Sequence, residues 1–134
     1  MNVAPEVIIV FEAVSAGYTN QPVLQNLNFR VRKGEFVYLI GRTGAGKSTL
    51  LKLLYAELKP QTGIIQIGNF VTNRLANHQI PFLRRKLGIV FQDFQLLPDR
   101  TVAENVAFAM EVIGITDKNR IRNRVSGRKI TASK

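Results

Sequence analysis

A chain of 134 residues, 46% hydrophobic and 21% charged, has the size of one ordinary domain and enough apolar material for a core, which excludes a wholly disordered polymer. Its 19 Lys+Arg against 9 Asp+Glu give a net charge of +10, on its face the signature of a nucleic-acid or anionic-surface binder. The distribution argues otherwise: Lys118, Arg120, Arg122, Arg124, Arg128, Lys129 and Lys134 crowd into residues 118–134 without one acid, so the first 117 residues carry twelve bases against nine acids.

Val7-Ile8-Ile9-Val10-Phe11 is a β-branched run and predicts a strand. Ser15 to Pro22 is rich in turn formers. From Val23 to Val31, Leu27, Phe29 and Val31 alternate with Asn28, Arg30 and Arg32, the pattern of a half-exposed strand. Phe36-Val37-Tyr38-Leu39-Ile40 is continuously apolar and predicts a strand buried on both faces. Leu50, Leu51, Leu53, Leu54 and Leu58 then follow at helical spacing, with Pro60 just past the helix. Gly63 to Gly68 reads as a short strand, Pro81 to Lys86 as a helix, and Leu87 to Phe91 as a second buried strand. Thr101 to Ile113 fits a helix with Val102, Val106, Ala109 and Ile113 on one face. Asp117 is placed to cap a last helix carrying Ile121 and Val125.

Between the strand at Phe36–Ile40 and the helix of leucines stands Gly41-Arg42-Thr43-Gly44-Ala45-Gly46-Lys47-Ser48, which meets G-x-x-x-x-G-K-[ST] at every required position. Glycines at 41, 44 and 46 permit backbone conformations that a Cβ blocks. The loop can close with its N–H groups, from about Gly44 to Thr49, pointing inward at a phosphate. The helix start adds partial positive charge. Lys47 is placed to reach the β- and γ-phosphates, and the Ser48 hydroxyl to ligate Mg²⁺. No guanine-reading N-K-x-D occurs, since Thr116-Asp117-Lys118-Asn119 has those letters in the wrong order. Zero cysteines exclude disulfides and thiolate metal sites. The single histidine, His78, leaves no material for a His-based zinc site and reads as a surface-loop residue. The start lacks a signal-peptide pattern and no run is long enough to span a membrane, so a cytoplasmic protein is expected.

From about Val10 to Val125 the sequence resembles the ATP-binding subunit of ABC transporters, and within that family the branch acting in bacterial cell division. The resemblance rests on Phe11 to Tyr18, on Val31 to Phe36, on Gly46 to Leu54, on Pro81 to Asp93 and on Leu96 to Val106. It implies an α/β fold: an incomplete P-loop NTPase core of the ABC ATPase type with an N-terminal antiparallel β subdomain. Residues 1–117 would be the N-terminal part of the ATP-binding domain and residues 118–134 a poorly packed basic segment. The resemblance also implies ATP and Mg²⁺ as cofactors. ATP would be held by Tyr18, stacked on adenine, and by Gly41, Arg42, Thr43, Gly44, Ala45, Gly46, Lys47, Ser48 and Thr49. Gln92 would be the Q-loop glutamine, reaching Mg²⁺ and the attacking water, so that Lys47 and Gln92 serve catalysis and Ser48 and Gln92 the metal. The implied partners are an integral membrane subunit, docked through Asp93 to Pro98 with Phe94, Leu96 and Leu97, and a second ATP-binding subunit, at the inner face of the cell membrane; no nucleic acid is expected. Read without the resemblance, the alternative for Tyr18 is a half-buried loop tyrosine, Gln92 is equally an exposed loop glutamine, and Phe94, Leu96 and Leu97 are either a docking patch or local core.

Where the family places a signature loop, a Walker-B strand ending in Asp-Glu, a D-loop and a switch histidine after the Q-loop, this sequence has none of them. Val125-Ser126-Gly127-Arg128 carries Arg where a signature would have its second Gly, and His78 precedes Gln92. The chain is therefore expected to bind Mg-ATP but to turn it over poorly alone. The apolar runs Phe36–Ile40 and Leu87–Phe91 are expected to keep exposed edges.

Overall fold

A computed structural model describes residues 6–19, 21–93 and 95–127. The chain divides into two compact units, one up to Gly88 and one from Ile89 onward.

The first unit is built around its opening strand. The β-branched run at Val7 starts β1, which continues to Ala16 (Val7–Ala16). That length is stable because β1 is paired on both sides. It runs antiparallel to β2 (Leu24–Arg32) and to β3 (Thr62–Ile67), and β3 pairs with the short β4 (Phe70–Val71), giving the order β2-β1-β3-β4. The alternation read in β2 is observed: Leu27, Phe29 and Val31 are half-buried, and Asn28, Arg30 and Arg32 are exposed. The register sets Phe11 opposite Phe29, their rings stacked at 4.4 Å. It slips between Phe11 and Val14, where Ala13 adopts a φ of 49° and donates its N–H to Asn28 Oδ1 at 2.8 Å. Such a bulge bends and twists the strand locally.

Helix α1 (Lys47–Leu54) and the short α2 (Ile80–Arg84) supply the rest of the core. Leu50, Leu53 and Leu83 join Phe11, Val14, Ala16, Ile65 and Ile67 in one buried cluster. The leucine spacing predicts a helix reaching Leu58, but α1 stops at Leu54. Ala56 turns left-handed at φ 53°, the Glu57 N–H donates to Lys52 O at 2.9 Å, and the Ala56 N–H to Leu53 O at 3.2 Å. This closure satisfies the last carbonyls and reverses the chain. Leu58 still packs on the core, from beyond the turn.

Two expectations are overturned. Phe36–Ile40 enters no ladder and is not buried: Phe36 is 80% exposed and Ile40 90%. Leu87–Phe91 enters no ladder either, and Val90 is 89% exposed. A strand buried on both faces needs neighbours at its edges and layers above and below. Among the described residues neither segment joins the sheet, so Phe36–Ile40 stays exposed throughout and Leu87–Phe91 is buried only in part, with Leu87 packed on the core.

The second unit holds α3 (Val102–Val112), which packs on α4 (Lys118–Val125). Thr101 caps α3 reciprocally: the Glu104 N–H donates to Thr101 Oγ1 at 3.3 Å, and the Thr101 N–H donates to Glu104 Oε2 at 2.7 Å. This is a capping box. The backbone and side-chain bonds from Thr101 hold the Glu104 carboxyl below its ordinary 4.5. Asp117 caps α4 as predicted, accepting from the N–H groups of Asn119 at 2.8 Å and Arg120 at 3.2 Å. The face read from sequence, Val102, Val106, Ala109 and Ile113, lines a single groove. Phe94 and residues 128–134, the end of the basic segment, lie outside the described residues.

Candidate functional site

The glycine-rich loop leads directly into α1. Gly46 is its N-cap, with φ 89° and no side-chain cap. A Cβ at Gly46 would come within 2.6 Å of Leu24 Cδ2 and 3.2 Å of Val23 Cγ1. Both the left-handed backbone and the contact with the start of β2 thus require glycine there. The Ala45 N–H donates to Arg42 O at 3.1 Å and tightens the turn, and the Leu50 N–H donates to Gly46 O at 2.8 Å as the first bond of the helix. The amides of Lys47, Ser48 and Thr49 therefore have no acceptor inside α1. An uncapped helix start with free amides attracts an anion.

Lys47 Nζ donates to Gly41 O at 2.6 Å and to Arg42 O at 2.8 Å. An ammonium carries three donors, so one remains for a ligand that the loop encloses. Gly41, Arg42, Thr43, Gly44, Ala45 and Ser48 are exposed, whereas Gly46 and Thr49 are buried. A chain of phosphates fits this set. Among the described residues no three His, Cys, Asp or Glu side chains are grouped to hold a metal ion. The exposed Ser48 hydroxyl is the oxygen of this loop that could ligate a magnesium ion bound with the phosphates.

Tyr18 stands in the loop after β1, 60% exposed. Lys52, on α1, places Nζ 5.4 Å from the Tyr18 ring centroid and 3.2 Å from Glu57 Oε1. Hydrogen bonds to Glu57 and then to Tyr18 raise the Lys52 pKa above its ordinary value. Glu57 is lowered by its bonds to Lys52 and Tyr55, and burial pushes the Tyr55 phenol up. One unit thus unites Tyr18 with the glycine loop. Gln92 lies in the other unit, in an exposed turn. His78 sits exposed on a short 3-10 turn, Asn77–Gln79, as the sequence reading placed it.

Beyond Gln92, Leu96, Leu97 and Pro98 form one wall of the groove of about 830 Å³ whose other wall is α3, with Arg120 and Arg124 of α4 at its side. Leu96 is 61% exposed, so its side chain belongs to surface rather than core. Asn105 shapes this segment. Its Oδ1 accepts the Leu97 N–H at 2.8 Å, and its Nδ2 donates to Leu97 O and Arg100 O, each at 3.2 Å. Sequence reasoning did not single out Asn105, Lys52 or Glu57. Lys52 lies far from Tyr18 along the chain, and no local pattern joins them.

Among the described residues no helix is long and apolar enough to cross a membrane. Residues 24–133 match the family model described as ABC transporter. The chain is 48% identical over 108 residues to the cell division ATP-binding protein FtsE of Bacillus subtilis, covering 80% of this chain and 47% of that protein. It is 44% identical over 120 residues to FtsE of Escherichia coli K12, covering 89% of this chain and 54% of that protein. Among solved structures it resembles the dimeric form of a bacterial ABC transporter cassette, with a TM-score of 0.79, 34% identity, and coverage of 87% of this chain and 53% of that one. The chain spans about half the length of the curated relatives it matches.

Proposed function

The chain belongs to the ABC transporter family, and from that premise we propose that it is the nucleotide-binding part of an FtsE-like ATP-binding subunit that acts in cell division. The observation that carries this reading is the loop at α1: left-handed Gly46, uncapped amides from Lys47 to Thr49, and Lys47 bridging two loop carbonyls with a donor to spare. Gly41, Arg42, Thr43, Gly44, Ala45, Gly46, Lys47, Ser48 and Thr49 cradle the phosphates of ATP. Tyr18 offers its exposed ring to adenine. Mg²⁺, when bound, would supply charge neutralisation; Ser48 is the residue of this loop that would hold it, with Gln92 the further metal residue that the family likeness implies. For Gln92 the family likeness implies a role in orienting the attacking water.

The partners follow from the relatives' role and from the groove. Leu96, Leu97 and Pro98, with α3, form an exposed apolar face suited to an integral membrane subunit of the FtsX type. The similar cassette is dimeric, and a second ATP-binding subunit completes the assembly at the inner face of the cell membrane. Thermal unfolding with ATP, with and without Mg²⁺, tests the reading. A ligand at about 100 times its Kd stabilises the folded state by about 2.7 kcal/mol. Mg-ATP is expected to raise the melting temperature of the wild type, and Ser48→Ala is expected to lose the magnesium-dependent part of that rise. An unchanged magnesium increment in Ser48→Ala would contradict the assignment.

A further inference from the structure

We propose that Lys52 and Gln61 are positioning residues for the adenine base: Lys52 fixes the ring of Tyr18 from α1, and Gln61 fixes the backbone beside it. The inference rests on the reading of Tyr18 as the adenine platform, and deepens it.

An exposed tyrosine on a loop is a poor platform if left free, since a stacking partner must then immobilise both ring and loop on binding. Here the ring and the backbone beside it each have partners on other elements. On either side of the segment that carries Tyr18, the Val23 N–H donates to Ala16 O at 2.8 Å. A Cβ on Gly17 would lie 2.7 Å from Gln21 O. From the lead-in to β3, the Gln61 side-chain amide donates to Thr19 O at 2.9 Å, and the Gln61 N–H donates to Ser15 O at 2.8 Å. Gln61 thus grips the loop on both sides of Tyr18.

The ring is held separately. Lys52 Nζ lies 5.4 Å from its centroid, within the range of a cation–π contact. Glu57, 3.2 Å from the same ammonium, keeps Lys52 from swinging away. Glu57 is itself fixed by the left-handed closure of α1, where its N–H bonds Lys52 O. Lys47, which opens α1, and Lys52, which holds the ring, stand on the same helix, so one element contacts both the phosphate loop and the base platform. A platform held from the same helix lowers the ordering that a nucleotide must impose when it binds at both ends.

The test compares two ligands of the 134-residue protein: ATP, which has a base, and inorganic tripolyphosphate, which has none. Competition against a fluorescent ATP analogue reads both affinities. Tyr18→Ala is expected to weaken ATP about tenfold, from lost stacking, and to leave tripolyphosphate unchanged. Lys52→Met is expected to weaken ATP about threefold, again without effect on tripolyphosphate. Lys52→Arg restores ATP binding, and Lys52→Met adds nothing on top of Tyr18→Ala. Gln61→Leu is expected to behave as Lys52→Met does. Retained tripolyphosphate binding shows that each variant keeps a folded phosphate loop. If Tyr18→Ala leaves ATP affinity intact, the platform reading itself fails. If Tyr18→Ala weakens ATP but Lys52→Met and Gln61→Leu do not, the positioning role alone is overturned. Equal losses of ATP and tripolyphosphate in Lys52→Met would overturn it as well, because the lysine would then act on phosphate.

Discussion

Lys47 and Gly46 concentrate the site's physics in two adjacent residues. Lys47 gives two of its three donors to the loop's own carbonyls, which holds the ammonium in place with its charge intact. Gly46 holds a left-handed φ while packed against Leu24 and Val23. An L side chain there costs about 1–2 kcal/mol in backbone strain alone, before any clash with Leu24. Gly46→Ala is therefore expected to lower stability by more than about 2 kcal/mol in chemical denaturation, and to abolish nucleotide binding. A variant as stable as wild type would show that the close packing is not needed. These residues were legible in the sequence because the chemistry is contiguous: one loop, one spacing, one helix start. Lys52 and Gln61 were not, because their tie to Tyr18 exists only once β1, α1 and β3 are assembled.

At the scale of elements, local signals were read well where they are local. Thr101 and Asp117 cap the helices that their sequence positions announce, and the alternation in β2 matches its exposure. The end of α1 was misread because the leucine period continues through a left-handed closure at Ala56 that periodicity does not register. The capping box of α3 also carries a pH dependence. Glu104 is more acidic folded than unfolded, owing to its bonds from Thr101. Its contribution to stability is therefore complete above the unfolded value and disappears as pH falls through the lower folded value. Melting curves from about pH 6 to about pH 3 should show wild type more stable than Glu104→Gln at the upper end, with the two converging at the lower. A gap that persists at the acid end would show that the charged carboxylate is not what stabilises the cap. Thr101→Ala should cost about 1 kcal/mol by removing the acceptor for the Glu104 N–H.

For the whole molecule, the composition promised one domain with a core, and the core exists, but it is confined to the first unit's sheet with α1 and α2. The apolar runs Phe36–Ile40 and Leu87–Phe91 read as strands by composition, yet neither is a strand in the structure. Burial is set by what surrounds a segment, and composition cannot supply neighbours. Beside the first run lies an apolar groove of about 540 Å³, lined by Leu24, Leu27, Phe29, Val37, Leu39 and Leu50 among others. Exposed contiguous apolar surface of this kind drives self-association. Light scattering should show concentration-dependent oligomers, reduced when Phe36 and Ile40, 80% and 90% exposed, are replaced by Lys. Equal association in the Phe36→Lys, Ile40→Lys double variant would place the sticky surface elsewhere.

The central claim is that this chain binds ATP through the loop from Gly41 to Thr49. Direct titration of wild type and Lys47→Ala with a fluorescent ATP analogue in the presence of Mg²⁺ tests it most plainly. Lys47 contributes a charge-assisted contact to phosphate, and its removal should weaken binding by at least about tenfold. Equal affinity of the two proteins for the nucleotide would contradict the account.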